Sequence, residues 1–128
     1  MSHSPRTLDS FFTEMCQEHD FCRVDLIRMD VEGAEVQILE GAKNTIKTFL
    51  PKIFLELHVH SIGISRARIL LRNLEETGYF VRQAIHRGIE YPLVGRPNDI
   101  MTDMKIEDLI SSVPLSNLLL FLENRNNS

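Results

Sequence analysis

The chain lacks both an excess of positive charge and any long apolar run. Its 14 basic and 18 acidic residues give a formal charge of −4, so there is no basic field to attract phosphates. No apolar run approaches the roughly 18 residues that a membrane-spanning helix needs, and the polar start at residues 1–5 lacks the apolar core of a secretory signal. These absences predict no nucleic-acid partner, no membrane partner and a cytoplasmic location.

Cysteine is also scarce, which bears on metal binding and on disulfides. Only Cys16 and Cys22 are present, with His19 between them. A structural zinc site needs about four ligands in paired short spacings, and no second pair stands nearby. In a cytoplasmic protein we therefore expect two reduced, partly buried thiols.

The size and composition are those of one globular domain. The 128 residues are 43% hydrophobic and 25% charged, which is enough to bury a modest core. We expect a single domain over residues 1–128, with residues 1–6 disordered.

Apolar spacing predicts helices and strands in alternation. Thr7 is placed to cap the first helix, and Gly78 to end the third in a left-handed conformation. Gly41 lies inside the second helix, where a close packing contact would explain a glycine. The predicted elements are a helix from Thr7, a strand at 24–31, a helix at 35–50, a strand at 53–60, a helix from Ser65 to Gly78, a strand at 79–85, a loop at 87–98 with a short hairpin arm at 89–94, a short helix from Thr102 or Asp103, and a strand at 117–123.

This order predicts an α/β fold. Strands separated by helices imply right-handed crossovers and a mostly parallel sheet that helices cover on both faces. No long helix follows the last strand, which we expect to run antiparallel.

Three carboxylates follow the first strand, where open α/β sheets collect ligands. They belong to Asp30, Glu32 and Glu35, and Gly33 allows the backbone to turn tightly between them. A purely structural interpretation is also open. Glu32 and Glu35 would then favour a helix amino terminus, while Asp30 would bind loop amides.

Glu56, His58 and His60 lie near the end of the second strand, on one face if the strand continues to residue 60. A carboxylate and two imidazoles suit a divalent metal, and one neutral imidazole suits a general base near pH 7. A partly exposed or hydrogen-bonded histidine pair is the structural alternative. The spacing leaves all three open.

One stretch resembles the signature of the FkbM methyltransferase family. It begins Asp25-Leu26-Ile27-Arg28-Met29-Asp30-Val31-Glu32-Gly33-Ala34-Glu35 and continues with Leu39-Glu40-Gly41-Ala42. This is similar to a strand that ends in Asp-x-Glu-Gly-x-Glu, followed by a helix with Leu-x-Gly-Ala. Further family-like residues in the same order extend the resemblance over roughly residues 7–124.

The resemblance implies a class I methyltransferase that uses S-adenosylmethionine and often methylates a hydroxyl oxygen, here of a small molecule or sugar. The chain would supply strands four, five, seven and six of a partial Rossmann-like sheet. It also implies roles for six residues: Asp30 and His58 in catalysis, Asp30 and Glu32 in cofactor binding, and Glu35, Glu56 and His60 in substrate binding.

The family's glycine-rich cofactor turn belongs to an earlier part of the fold, and the six glycines here form no G-x-G. The resemblance thus covers a carboxyl-terminal half and implies a separate amino-terminal half as a partner. An unpaired first strand would also favour a homodimer. One alternative is a binding or assembly module without methyl transfer. Another is a metal hydrolase with Asp30, Glu32, Glu56, His58 and His60 as its ligands.

Overall fold

The structure, a computed structural model, describes residues 7–18, 22–30, 33–86, 100–112 and 118–127. No helix within these ranges is long and apolar enough to cross a membrane. The predicted disorder of residues 1–6 and the predicted hairpin arm at 89–94 lie outside them. The elements are α1 (Leu8–Glu18), β1 (Leu26–Met29), α2 (Glu35–Glu40), α3 (Lys43–Phe49), β2 (Lys52–Leu57), α4 (Val59–Ile62), α5 (Ile64–Glu76), β3 (Tyr79–His86), β4 (Ile100–Met104), α6 (Ile106–Ser112) and β5 (Leu118–Asn124).

The α/β class is confirmed, but the prediction of a mostly parallel sheet is wrong. The described strands form one sheet in the order β1-β2-β5-β3-β4. Only β1 and β2 are parallel neighbours, and the other three neighbouring pairs are antiparallel. Crossovers do give β1, β2 and β3 one direction. However, β5 inserts between β2 and β3, so most of the pairing is antiparallel.

The last strand, β5, forms the centre of the sheet and runs antiparallel to both neighbours, as predicted. Leu118, Leu120 and Leu122 are fully buried. These alternate residues share one face of the strand, so they join the core from a single side. The opposite face is partly covered, and Phe121 meets Phe54 of β2 there in an edge-to-face contact at 6.2 Å.

The strand β4 was not predicted. Thr102 and Asp103, expected to begin a helix, lie in β4, which pairs with β3. The helix begins only at Ile106, and Ile106 and Leu109 are fully buried. Pairing with the outer edge of β3 outweighs the local helix-start signal, because that edge supplies hydrogen bonds that an isolated segment lacks.

The predicted helix over 35–50 is two helices, α2 and α3, with a break at Gly41. In an unbroken helix the Thr45 N–H would bond to the Gly41 carbonyl four residues earlier. Here the Gly41 carbonyl accepts the Asp9 N–H at 2.8 Å, and the Thr45 N–H donates to Asp9 Oδ1 at 2.7 Å. Asp9, at the start of α1, therefore hydrogen-bonds to both backbone groups that an unbroken helix would have joined to each other.

Gly41 is closely packed, as its position in the sequence predicted. A Cβ atom at Gly41 would lie 3.1 Å from both Cβ and Cγ2 of Thr7. Thr7 also caps α1 as predicted, since its Oγ1 accepts the Ser10 N–H at 3.0 Å. The absence of a side chain at residue 41 thus lets the first turn of α1 lie against the α2–α3 break.

Cys16 and Cys22 form a disulfide, so the prediction of two reduced thiols is wrong. Their Cα atoms are 5.2 Å apart, within the range that a disulfide requires. The prediction rested on the expected compartment alone, and the spacing of six residues did not reveal that the two cysteines lie close enough to bond.

Candidate functional site

The ends of β1 and β2 meet at one edge of the sheet. The two strands are parallel, with Met29 paired to Leu55, so residues that follow them share an edge. Asp30 follows β1, Glu56 is the penultimate residue of β2, and His58 follows that strand. Three of the predicted site residues are thus neighbours.

The second strand is shorter than predicted. It ends at Leu57, because the His58 carbonyl accepts the N–H groups of Ser61 and Ile62 and the chain turns into α4. The expected strand face holding His58 and His60 together is therefore wrong, and His60 is an exposed residue of α4. The apolar alternation predicted too long a strand because Val59 is also buried, at 2% exposed, but as the first residue of α4 rather than as part of β2.

A tight turn follows β1. Gly33 has φ of 85°, a left-handed conformation that favours glycine, as predicted. A Cβ atom there would lie 3.8 Å from Ser61 Cβ of α4, so the turns after β1 and β2 are in contact. Glu32, predicted to bind the cofactor, lies outside the described residues.

Glu35 and His58 are within hydrogen-bonding distance of each other at this edge. His58 Nδ1 lies 2.8 Å from Glu35 Oε1, which also accepts the Gly33 N–H at 3.2 Å. An ionised Glu35 requires the ring hydrogen on Nδ1, which makes Nε2 the basic nitrogen. That nitrogen faces Glu56, whose Oε1 lies 3.9 Å away.

Glu35 is unusual because a carboxyl group is rarely fully buried. Its side chain is 0% exposed, and Oε2 is a buried atom for which the described residues provide no hydrogen-bond partner. Burial without a partner is costly for a carboxylate. A fully buried, half-satisfied carboxylate behind a histidine is typical of a functional arrangement rather than of stable packing.

Asp30, Glu56 and His58, hereafter the exit cluster, bring two carboxylates and one imidazole together. One possible ligand atom from each lies within 4.8 Å of the others. Asp30 is exposed, while the side chains of Glu56 and His58 are 20% and 15% exposed. Such a group can hydrogen-bond a hydroxyl, accept its proton or hold a cation.

The sequence predicted the residues of the exit cluster as site residues, but it did not predict that Glu35 is buried. Glu35 was expected to bind substrate. A signal was present. Glu35, Leu39, Ala42 and Ile46 are spaced by four, three and four residues, and all four are buried. Helical periodicity would thus have placed Glu35 on the core side.

An open groove of the described structure lies away from the exit cluster. A space of about 580 Å³ is lined by Leu26, Lys52 and Phe121, among others. These residues surround the amino-terminal end of β1, opposite the exit cluster. The groove contains none of the predicted site residues.

Comparison with known families adds an assignment that geometry alone does not give. The family model described as the methyltransferase FkbM domain matches residues 4–81, which is more than half of the 128 residues. The match includes both strand exits and every residue of the exit cluster. No curated protein and no solved structure matches the chain.

Proposed function

The chain belongs to the FkbM methyltransferase family, and from this premise we propose that it transfers a methyl group to a hydroxyl oxygen of a small molecule or sugar. The donor would be S-adenosylmethionine, which class I methyltransferases use. The observation that carries the proposal is the buried contact between Glu35 and His58, which presents one imidazole nitrogen at the strand exits.

His58 is the proposed base. Glu35 fixes the ring and its tautomer, as the carboxylate of a catalytic triad does, so that Nε2 points away from the core. Removing the hydroxyl proton makes the oxygen a better nucleophile, provided that the oxygen is held in line with the methyl carbon. We propose Asp30, exposed beside His58, as the second catalytic residue, which holds the acceptor hydroxyl.

The remaining predicted site residues differ in how exposed they are, and their proposed roles differ accordingly. Glu56 is partly exposed beside His58 and suits substrate binding. Glu35 is fully buried, so we assign it to positioning His58 rather than to contact with substrate. His60 is exposed in α4 rather than on a strand face with His58, so we assign it no contact with substrate.

The described residues fit the acceptor side of such a site better than the cofactor side. They offer acidic groups and an imidazole at the strand exits, but the sequence has no G-x-G turn for close approach to the cofactor. The cofactor would supply the methyl group. We further propose that β1, β2, β5 and β3 correspond to strands four, five, seven and six of the class I sheet. The earlier strands of that sheet would then supply the rest of the cofactor site.

The proposal is tested first by binding and then by transfer. Calorimetric titration with S-adenosylhomocysteine should show one-to-one binding. Incubation with methyl-labelled S-adenosylmethionine and a panel of sugars and simple alcohols should label at least one acceptor. His58→Ala should reduce transfer by roughly 10²–10⁴-fold, the usual contribution of a general base.

His60→Ala is the matched control, since it removes an imidazole two residues away. It should transfer at the wild-type rate or close to it. Binding without transfer to any acceptor would favour a binding or assembly module. If the chain shows neither binding nor transfer, the proposal for this chain is overturned.

A further inference from the structure

We propose that the exit cluster binds a divalent metal cation through carboxylate oxygens of Asp30 and Glu56 and through Nε2 of His58. Two oxygens and one imidazole nitrogen form a mixed ligand set of intermediate softness. Such a set favours a transition-metal ion such as Mn²⁺ or Zn²⁺ over Ca²⁺, which prefers oxygen ligands alone. The binding itself does not depend on the proposed methyl transfer.

The distances are close to those of a loaded site. Ligand atoms at about 2.0–2.2 Å from one cation are separated by roughly 3–4 Å. In the exit cluster the separations reach at most 4.8 Å, and Nε2 of His58 lies 3.9 Å from Glu56 Oε1. Asp30 is exposed and can close the difference by rotating its side chain.

Glu35 provides the second, independent observation. Metal-binding histidines almost always donate their other ring N–H to a carboxylate or carbonyl, which fixes the ring and raises its basicity. His58 Nδ1 is placed to do so, since it lies 2.8 Å from a carboxylate oxygen of Glu35, whose side chain is 0% exposed. A cation on the far side of the ring would also help to offset the cost of burying that carboxylate, whose second oxygen has no partner in the described structure.

Three protein ligands leave coordination positions open, as in catalytic rather than structural sites. An acceptor hydroxyl that bound there would become more acidic, because the cation stabilises its oxyanion. The O–H bond would break with the proton passing to water. The oxygen–methyl bond would then form as the sulfur–methyl bond of the donor breaks, releasing S-adenosylhomocysteine.

This inference changes how the hydroxyl is held and activated, and it rests on the proposed function only for that step. Asp30 and Glu56 would hold the acceptor through the cation rather than directly. With Nε2 bound to the cation, His58 cannot itself accept the proton, so the cation replaces it in activating the hydroxyl. The two mechanisms differ in a measurable way. Transfer that continues unchanged after complete removal of metal with EDTA would leave His58 as the direct base and overturn the catalytic part of this inference.

The binding test uses Mn²⁺ titrated into the metal-stripped chain and followed by electron paramagnetic resonance. One equivalent should bind, and Asp30→Asn, Glu56→Gln and His58→Ala should each weaken it at least tenfold. Glu35→Gln should weaken it by roughly 10–100-fold, the usual effect of losing a partner behind the ligand. His60→Ala should leave the affinity unchanged.

Circular dichroism and the urea midpoint of each variant establish that weaker binding does not arise from unfolding. Competition with Ca²⁺ gives a further check, because a site with an imidazole ligand should hold Mn²⁺ well ahead of Ca²⁺. Equal, weak binding of both ions that His58→Ala does not alter would indicate only diffuse attraction to acidic groups, and would overturn the proposal. Mn²⁺ binding without methyl transfer would sustain the metal site and reject the proposed activity.

Discussion

Asp9 acts as a helix cap from outside the helix. Its carboxylate accepts the N–H groups of Asn44 and Thr45 at the start of α3, and the Thr45 hydroxyl as well. Burial alone would raise the pKa of Asp9, but these hydrogen bonds outweigh it and lower the pKa below the usual value of 3.8. The charged form is therefore the one that stabilises the fold.

Asp9→Ala should lower the free energy of unfolding at pH 7 by about 0.5–2 kcal/mol, the usual cost of losing a cap. Because the native-state pKa is lowered, the stabilisation is fully present above pH 3.8 and is lost as the pH falls through the lower native value. The difference between wild type and variant should thus shrink in strong acid. Urea denaturation followed by circular dichroism at pH 7 and at acid pH measures it.

Asp25→Ala is the matched control for this prediction. Asp25 pairs with Arg23 at 2.5 Å, but both side chains are more than 60% exposed. Such a surface pair contributes little, so the variant should lie close to wild type at both pH values. An equal loss in the two variants would show that Asp9 is no more than a surface charge.

At the level of single residues, the sequence predicted much of the candidate site. The spacing and the family signature identified Asp30, Glu56 and His58, because strand ends and motif residues are local features. They did not place His60 correctly, because the end of β2 is set by hydrogen bonds of the His58 carbonyl that no periodicity reveals. His58 and Glu35 are 23 residues apart in the sequence, so their contact could not be predicted without the fold.

At the level of elements, strongly apolar segments were predictable and segments fixed by distant contacts were not. The buried alternation of β5 and the apolar stripe of α5 are encoded in their own residues. The break between α2 and α3 depends on Asp9, more than 30 residues earlier. Likewise β4 exists as a strand because β3 offers it an edge.

Gly41→Ala should test how closely α1 is packed against this break. The backbone at Gly41 has φ of −72°, which alanine adopts readily, so any cost comes from crowding. A new Cβ 3.1 Å from two atoms of Thr7 should destabilise the protein by about 1 kcal/mol. Thermal and urea denaturation measure the change.

A double-mutant cycle makes the cause explicit. Thr7→Ser removes the crowded Cγ2 atom and keeps the hydroxyl that caps α1. Combined with Gly41→Ala it should recover part of the loss, giving a coupling energy of roughly 0.5 kcal/mol. Strict additivity, or a Gly41→Ala protein more stable than wild type, would contradict the proposed crowding.

At the level of the whole molecule, β1 forms one edge of the described sheet. The Asp25 carbonyl accepts the Lys52 N–H, so the backbone groups of Asp25 face β2. Polar backbone groups alternate in direction along a strand, and those of Leu26 and Arg28 therefore point to the outer edge. Leu26 is also 54% exposed.

We propose that a second copy of the chain pairs along this edge to form a homodimer, since unpaired strand edges attract partners. Leu26→Pro removes an outward N–H while leaving the bonds to β2, and proline is tolerated at the first residue of a strand. It should weaken dimerisation at least tenfold in analytical ultracentrifugation. Leu26→Ala keeps the N–H and should weaken it less. A wild-type protein that stays monomeric at all concentrations would rule out the homodimer.

The central position of β5 has a consequence for how the chain is made. A ribosome releases β2 and β3 well before residues 118–124, yet these two strands meet no partner between them until β5 arrives. The nascent sheet thus carries two temporary open edges around its middle, both apolar. Completion of the core is postponed until residues 118–124 have emerged, and until then the growing chain is exposed to misassembly and depends on chaperones.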